Sequence, residues 1–190
     1  FKEREIIEGF SNTLFFIGNL SYSPNYQGLL WFVENVIDEL NKNITLHVIG
    51  KIPKNFPDKI KSHNRIKLLG YVDDPYPMMS SGLAKIAPTQ SGAGIQNKII
   101  ESLALGSLTV VSDFSADAFG EDKNKLMLVC KDKKDWIRNI HKAYEEPEYY
   151  EKLKRIGKEY AKSKYSWDKY SESIIAVSYT HLTLPTRRGV

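Results

Sequence analysis

Six short apolar runs constrain what this chain can fold into: Leu14–Ile17, Leu46–Ile49, Ile66–Leu69, Leu83–Ala87, Leu108–Val111 and Leu126–Val129. Most are bounded by Gly, Pro, Asn or Asp, and runs of this length between such residues read as buried strands. Helical patterns lie between several of them. The clearest runs from Pro24 to Leu40, with Leu29, Val33, Val36 and Leu40 on one stripe. Ser23 followed by Pro24 supplies a cap and a first helical residue. A second pattern occupies Ile95–Leu105, where Ile95, Ile99, Ile100 and Leu103 follow helical spacing and Gly106 is placed to end the helix in a left-handed conformation. In a third, Lys133–Tyr144, the residues Trp136, Ile140 and Tyr144 share a face. Strands alternating with helices imply right-handed crossovers and a sheet covered on both sides. The fold class is therefore α/β, a doubly wound, Rossmann-like parallel sheet of about six strands.

After Pro147 the chain becomes rich in Tyr, Lys and Glu from Glu148 to Tyr170, without a further strand signal. Two terminal helices broken near Ser163–Ser166 are expected there, their positive charges forming a solvated face. The string VSYTHLTLPT, from Val177 to Thr186, has no periodicity linking it to the preceding helix, and it resembles one reading frame of a common sequencing-library adapter. Residues 177–190 are accordingly expected to be non-native and the native segment to stop near Ala176.

Composition narrows the function classes. The 190 residues, 42% hydrophobic and 26% charged, suffice for one ordinary globular domain. The net charge is +4, and +2 without Arg187 and Arg188 of the tail, which is too weak to point to nucleic acid. Cys130 is the only cysteine, so neither an internal disulfide nor a cysteine-based zinc site is available. No apolar run is long enough to cross a bilayer, and the opening FKEREIIEGF lacks the shape of a signal peptide. It begins at Phe1, inside a charged segment, which suggests the latter part of a longer protein.

The most informative stretch is SGAGIQNKIIESLALG, residues 91–106. Gly92, Ala93 and Gly94 stand directly before the helix. Small residues let a ligand approach main-chain N–H groups, and a helix N-terminus leaves such donors unpaired, so an anion is the natural guest. Lys98 and Glu101 are three apart and share a face. A Lys in the first turn opposes the helix dipole, a conflict that a bound phosphate would relieve. Two further loops with unusual chemistry also follow strands: GNLSYSPN, Gly18–Asn25, and GYVDDPYP, Gly70–Pro77. With PTQSGAGIQNK, Pro88–Lys98, they would lie on one rim of the sheet, where such folds bind ligands.

In order and spacing these loops resemble the C-terminal domain of GT-B glycosyltransferases of family 4, also called group 1. IAPTQSGAGIQNKIIESLALGSLTVVSD is most similar to an exopolysaccharide-associated subset. The resemblance implies that Glu101 accepts hydrogen bonds from the ribose hydroxyls of a nucleotide. It also implies that Gly92, Ala93, Gly94 and Ile95, with Gln96 opening the helix, line the diphosphate beside the point charge of Lys98. Gly70, Tyr71 and Val72 match the turn that holds the base, and Gly18 and Asn19 match the loop nearest the phosphates. The donor would be a nucleoside-diphosphate hexose of the UDP or GDP type, transferred with retention to a glycan or lipid-linked acceptor, without a metal or other cofactor. Residues 1–12 would link to an absent acceptor-binding domain and 13–176 would form the nucleotide-sugar-binding domain, inactive alone. The location implied is cytoplasmic, with any contact to the inner membrane face made through the absent half.

Two features depart from the family pattern. The earlier of its two glutamates is replaced by Ser91 or Ala93, with a longer spacing to Glu101, and the Arg and Lys of the first loop are absent, with Asn19 and Asn25 nearby. Lys98 is then the cation left for the leaving diphosphate. Simpler assignments exist at each position: Glu101 as a surface residue paired with Lys98, Gly92 and Gly94 as a plain tight turn. A non-catalytic nucleotide-binding or protein-interaction module and a sugar-nucleotide epimerase are the competing functions. A dinucleotide dehydrogenase is disfavoured, because no G-x-G-x-x-G follows the first strand. His47 reads as structural within a strand, His63 and His141 as surface positions, and no histidine pair has metal spacing.

Overall fold

A computed structural model describes residues 7–92 and 96–165. Ala93, Gly94 and Ile95, the first six residues, and everything beyond Tyr165, including the 177–190 tail, lie outside the described residues. The strands are β1 (Thr13–Ile17), β2 (Thr45–Ile49), β3 (Ile66–Gly70), β4 (Ala84–Ala87), β5 (Thr109–Ser112) and β6 (Leu128–Cys130). The helices are α1 (Ser23–Asn35), α2 (Asp58–Lys61), α3 (Tyr76–Ser80), α4 (Asn97–Ala104), α5 (Asp113–Ala116), α6 (Lys123–Leu126), α7 (Lys133–Glu145) and α8 (Glu151–Tyr165). All six strands pair in parallel in the order β3-β2-β1-β4-β5-β6. Strand order reverses between β1 and β4, which opens a crevice between the loops that leave their C-terminal ends.

Both faces are covered, as near-continuous apolar strands require. On one face Leu14, Phe16, Leu46, Val48, Ile86 and Val110 pack against Leu29 and Phe32 of α1 and against Trp136 and Ile140 of α7. Trp136 meets Phe32 edge to face at 5.4 Å, which joins the two helices. On the other face there are two smaller clusters. Ala87 and Val111 pack with Ile99 and Leu103 of α4 and Ala161 of α8, while Phe15 and Ile49 pack with Met79 of α3. Among the described residues no helix is long and apolar enough to cross a membrane.

Several expectations are revised in detail. The helix expected from Pro24 to Leu40 is α1 plus a separate 3-10 turn, Ile37–Glu39, although Val36 and Leu40 remain buried. Ser23 is its first residue and not its cap: the helix opens on Tyr22 without a side-chain cap, because the Tyr22 carbonyl already accepts from the Asn25 and Tyr26 N–H groups. The run Leu126–Val129 is split, with Leu126 closing α6 and the strand shifted to Leu128–Cys130. An apolar run alone cannot place that boundary, since Leu126 is buried equally well from a helix. The break expected near Ser163–Ser166 is absent up to Tyr165, where α8 is still helical and Ser163 Oγ donates to the Tyr160 carbonyl. Gly106 has φ 68, the left-handed C-terminal conformation expected after α4.

His47 sits in β2, buried between Phe10 and Phe15, and burial pushes its pKa down. His63 and His141 are less exposed than expected. His63 Nε2 lies 3.1 Å from Asp38 Oδ1, and His141 Nε2 accepts from the Asn41 N–H. Cys130 is buried and unpaired, its thiol pushed up to about 12 by burial.

Candidate functional site

The β1–α1 loop and the β4–α4 loop face each other across the switch in strand order and enclose a cleft of about 320 Å³. Its walls come from Gly18, Tyr22 and Asn25 on one side and from Thr89, Gly92, Gln96, Lys98 and Glu101 on the other. The loops are held close by α1. A Cβ on Gly28 would stand 2.8 Å from the Pro88 carbonyl oxygen and 2.9 Å from Thr89 Cα, so only glycine lets α1 lie against the β4 loop.

Lys98 projects from the first turn of α4. Its Nζ donates to Asn25 Oδ1 at 2.6 Å and lies 5.2 Å from the Phe16 ring centroid. Asn25 is fixed in turn by an Nδ2–H bond to the Asn19 carbonyl. Lys98 thus bridges the two loops, and burial pushes its ammonium down to about 8. It does not pair with Glu101. Among the described residues no hydrogen bond or ion pair holds the Glu101 carboxylate, which faces the cleft half-buried with its pKa raised by desolvation and lowered in part by Lys85. An acceptor held open in this way suits a ligand carrying hydroxyl donors.

Gln96 does not cap α4 with its side chain. Instead its amide joins a buried hydroxyl network: Thr89 Oγ1 donates to Gln96 Oε1 at 3.0 Å, Gln96 Nε2 donates to Ser115 Oγ at 3.0 Å, and Ser115 Oγ donates to the Thr89 carbonyl at 3.0 Å. Ser112, which caps α5, donates to that same carbonyl. The network ties the β4 loop to the β5–α5 junction, and no side chain caps the start of α4, where the Ile99 N–H donates to the Gln96 carbonyl at 2.9 Å.

Five of the residues singled out from sequence therefore line one cleft: Gly18, Gly92, Gln96, Lys98 and Glu101. Asn19 stands behind it, its side chain accepting from the Ser21 N–H and its carbonyl from Asn25. Gly70, Tyr71 and Val72 leave β3, two strands away, and do not line this cleft. Gly70 accepts from the Gly50 N–H, Tyr71 is 83% exposed, and Val72 packs beside Phe15 and Met79. The roles given to Ala93, Gly94 and Ile95 concern positions outside the described residues. Sequence reading passed over Tyr22, Thr89, Ser112 and Ser115. Its available signal was the run of hydroxyl residues at the ends of two adjacent strands. Among the described residues no group of three or more His, Cys, Asp or Glu is placed to hold a metal ion.

The architecture has solved counterparts. HepE of Anabaena, in a crystal structure with UDP, superposes with a TM-score of 0.76 at 13% identity over 90% of this chain and 49% of its own. WaaG, a glycosyltransferase involved in lipopolysaccharide biosynthesis, does so with 0.67 at 16% over 90% and 48%. The pneumococcal O-GlcNAc transferase GtfA, solved with UDP and GlcNAc, gives 0.68 at 17% over 92% and 38%. This chain thus spans about half the length of these proteins or less. No curated protein sequence matches it. The family model for glycosyl transferases group 1 matches residues 11–146, which contain the whole sheet and both walls of the cleft. The chain belongs to the group 1 glycosyltransferases.

Proposed function

We propose that this chain is the donor-binding half of a glycosyltransferase that moves a hexose from a nucleoside-diphosphate sugar to a glycan or lipid-linked acceptor. The observation that carries this reading is the placement of Lys98 and Glu101, one turn apart on α4, in the cleft at the switch in strand order. Glu101 accepts from the ribose hydroxyls. Lys98, in the first turn of α4, faces the diphosphate and stabilises the negative charge that develops on it as the sugar departs. Gly18 and Gly92 give the phosphates close access to the main chain. The base lies toward Gly70, Tyr71 and Val72.

The HepE and GtfA structures, solved with UDP, support a uridine or related donor by analogy. Transfer proceeds with retention and without a metal or other cofactor, the sugar nucleotide being a substrate. The acceptor is held by the remainder of a longer protein, so this portion alone binds nucleotide and transfers no sugar. The setting is polysaccharide or cell-envelope synthesis at the cytoplasmic side, where nucleotide sugars are supplied, and membrane contact falls to the other half.

Calorimetric titration of the chain with UDP, GDP and ADP tests the reading. One nucleotide binds, and Glu101→Ala and Lys98→Ala each weaken it by about tenfold or more, the usual loss for a hydrogen bond to a charged group. Binding that ignores both substitutions places the nucleotide elsewhere. Sugar transfer by this chain alone overturns its assignment as an inactive half.

A further inference from the structure

The β1–α1 wall of the cleft, Gly18–Asn25, contains no charged residue. An anion lying between the two loops therefore meets Lys98 on one side and neutral groups on the other. Most of those groups are already engaged. The Gly18 N–H donates to the Ile49 carbonyl at 2.9 Å, the Asn25 N–H donates to the Tyr22 carbonyl at 3.1 Å, and Pro24 has no N–H to offer. The Asn25 carboxamide accepts from Lys98 and donates to the Asn19 carbonyl. The Tyr22 hydroxyl differs from all of these. It lines the cleft, and among the described residues nothing hydrogen-bonds to it.

Main-chain bonds fix where that phenol stands. The Tyr22 N–H donates to the Asn19 carbonyl at 3.2 Å, and the Tyr22 carbonyl accepts from the Asn25 and Tyr26 N–H groups, each at 3.1 Å. The side chain, 54% exposed, reaches across the mouth of the cleft to the β4–α4 loop. A Cβ placed on Gly92 would stand 3.5 Å from the Tyr22 hydroxyl and would meet no other described atom within 4 Å. Gly92 has φ 117, a conformation that favours glycine, so the main chain stays bare at this point. A phenol with a free O–H thus stands beside the place where the cleft lets a ligand come nearest to the β4–α4 backbone.

We infer that Tyr22 is a ligand-contacting residue of the cleft, its hydroxyl donating to a diphosphate oxygen from the wall opposite Lys98. The identity of that diphosphate as part of a sugar nucleotide rests on the proposed function; the contact between phenol and anion does not. A phenol O–H donating to a phosphate oxygen makes a charge-assisted bond, stronger than one between neutral partners. It carries no charge of its own, so it grips the anion without repelling Lys98.

The test compares wild type with Tyr22→Phe, which keeps the ring and removes only the hydroxyl, with thermal melts to confirm folding. Calorimetry with UDP, GDP and ADP is run beside NMR titrations with inorganic pyrophosphate and with the three nucleosides. The variant melts with wild type and binds both pyrophosphate and the preferred nucleotide about tenfold more weakly, the loss expected for one hydrogen bond to a charged group. Its affinity for the matching nucleoside is unchanged. Undiminished binding of pyrophosphate and nucleotide by folded Tyr22→Phe overturns the inference. So does an equal loss for nucleoside and nucleotide, which moves the hydroxyl to the ribose or the base. Pyrophosphate binding that depends on Tyr22, in a protein that takes up none of the three nucleotides, leaves the contact standing and overturns the proposed function. A wild-type protein that binds neither pyrophosphate nor nucleotide overturns both.

Discussion

Lys98 carries the clearest pH signature of any single residue. Burial holds its ammonium at about 8, against an ordinary value of 10.5. Between those pH values the unfolded chain binds the proton and the folded chain does not, so this group makes stability rise with pH across the window. A bound diphosphate favours the charged form, so nucleotide affinity moves the opposite way. Titration at about pH 7 and about pH 9.5 is expected to show affinity about tenfold weaker at the higher value in wild type and flat in Lys98→Met. Affinity that ignores pH in wild type contradicts the role. The positions of Lys98 and Glu101 were legible in the sequence because helical spacing fixes their common face. The partner of Lys98 was not, since Asn25 is 73 residues away in the chain.

At the scale of elements, the cleft depends on how closely α1 approaches the β4 loop. Gly28→Ala would drive a methyl group against the Pro88 and Thr89 main chain, which cannot swing aside as a side chain would. The expected cost is about 1–3 kcal/mol in urea denaturation, together with weaker nucleotide binding as the two walls separate. A variant of wild-type stability and affinity would show that α1 does not set the cleft width. Alternation of strands and helices was legible because each buried strand needs an apolar run and each covering helix an apolar stripe. Boundaries were less so. The start of α1 is set by main-chain bonds from Tyr22, and the split between α6 and β6 by packing around Leu126, neither of which residue types alone encode. Gly70, Tyr71 and Val72 stand outside the cleft itself for a topological reason: β3 is the edge strand, separated from β1 by β2.

For the whole molecule, stability and binding sit in different places. The larger core, around Trp136, lies on one face, whereas the cleft lies at the rim between β1 and β4. Trp136→Ala should therefore cost about 3–5 kcal/mol in urea denaturation. It should leave the nucleotide affinity of the folded protein unchanged; weakened affinity in the folded variant would contradict that separation. The central claim is that a nucleoside diphosphate binds at the switch in strand order. Backbone-amide NMR of the chain, titrated with whichever of UDP, GDP or ADP binds tightest, tests it most directly. The predicted result is shifts concentrated at Gly18, Tyr22, Asn25, Gly92, Gln96, Lys98 and Glu101, with those on the base side reaching Gly70, Tyr71 and Val72. Shifts gathered instead at the basic groove bordered by Arg138, Lys142, Tyr149 and Lys152, with the cleft silent, would contradict it.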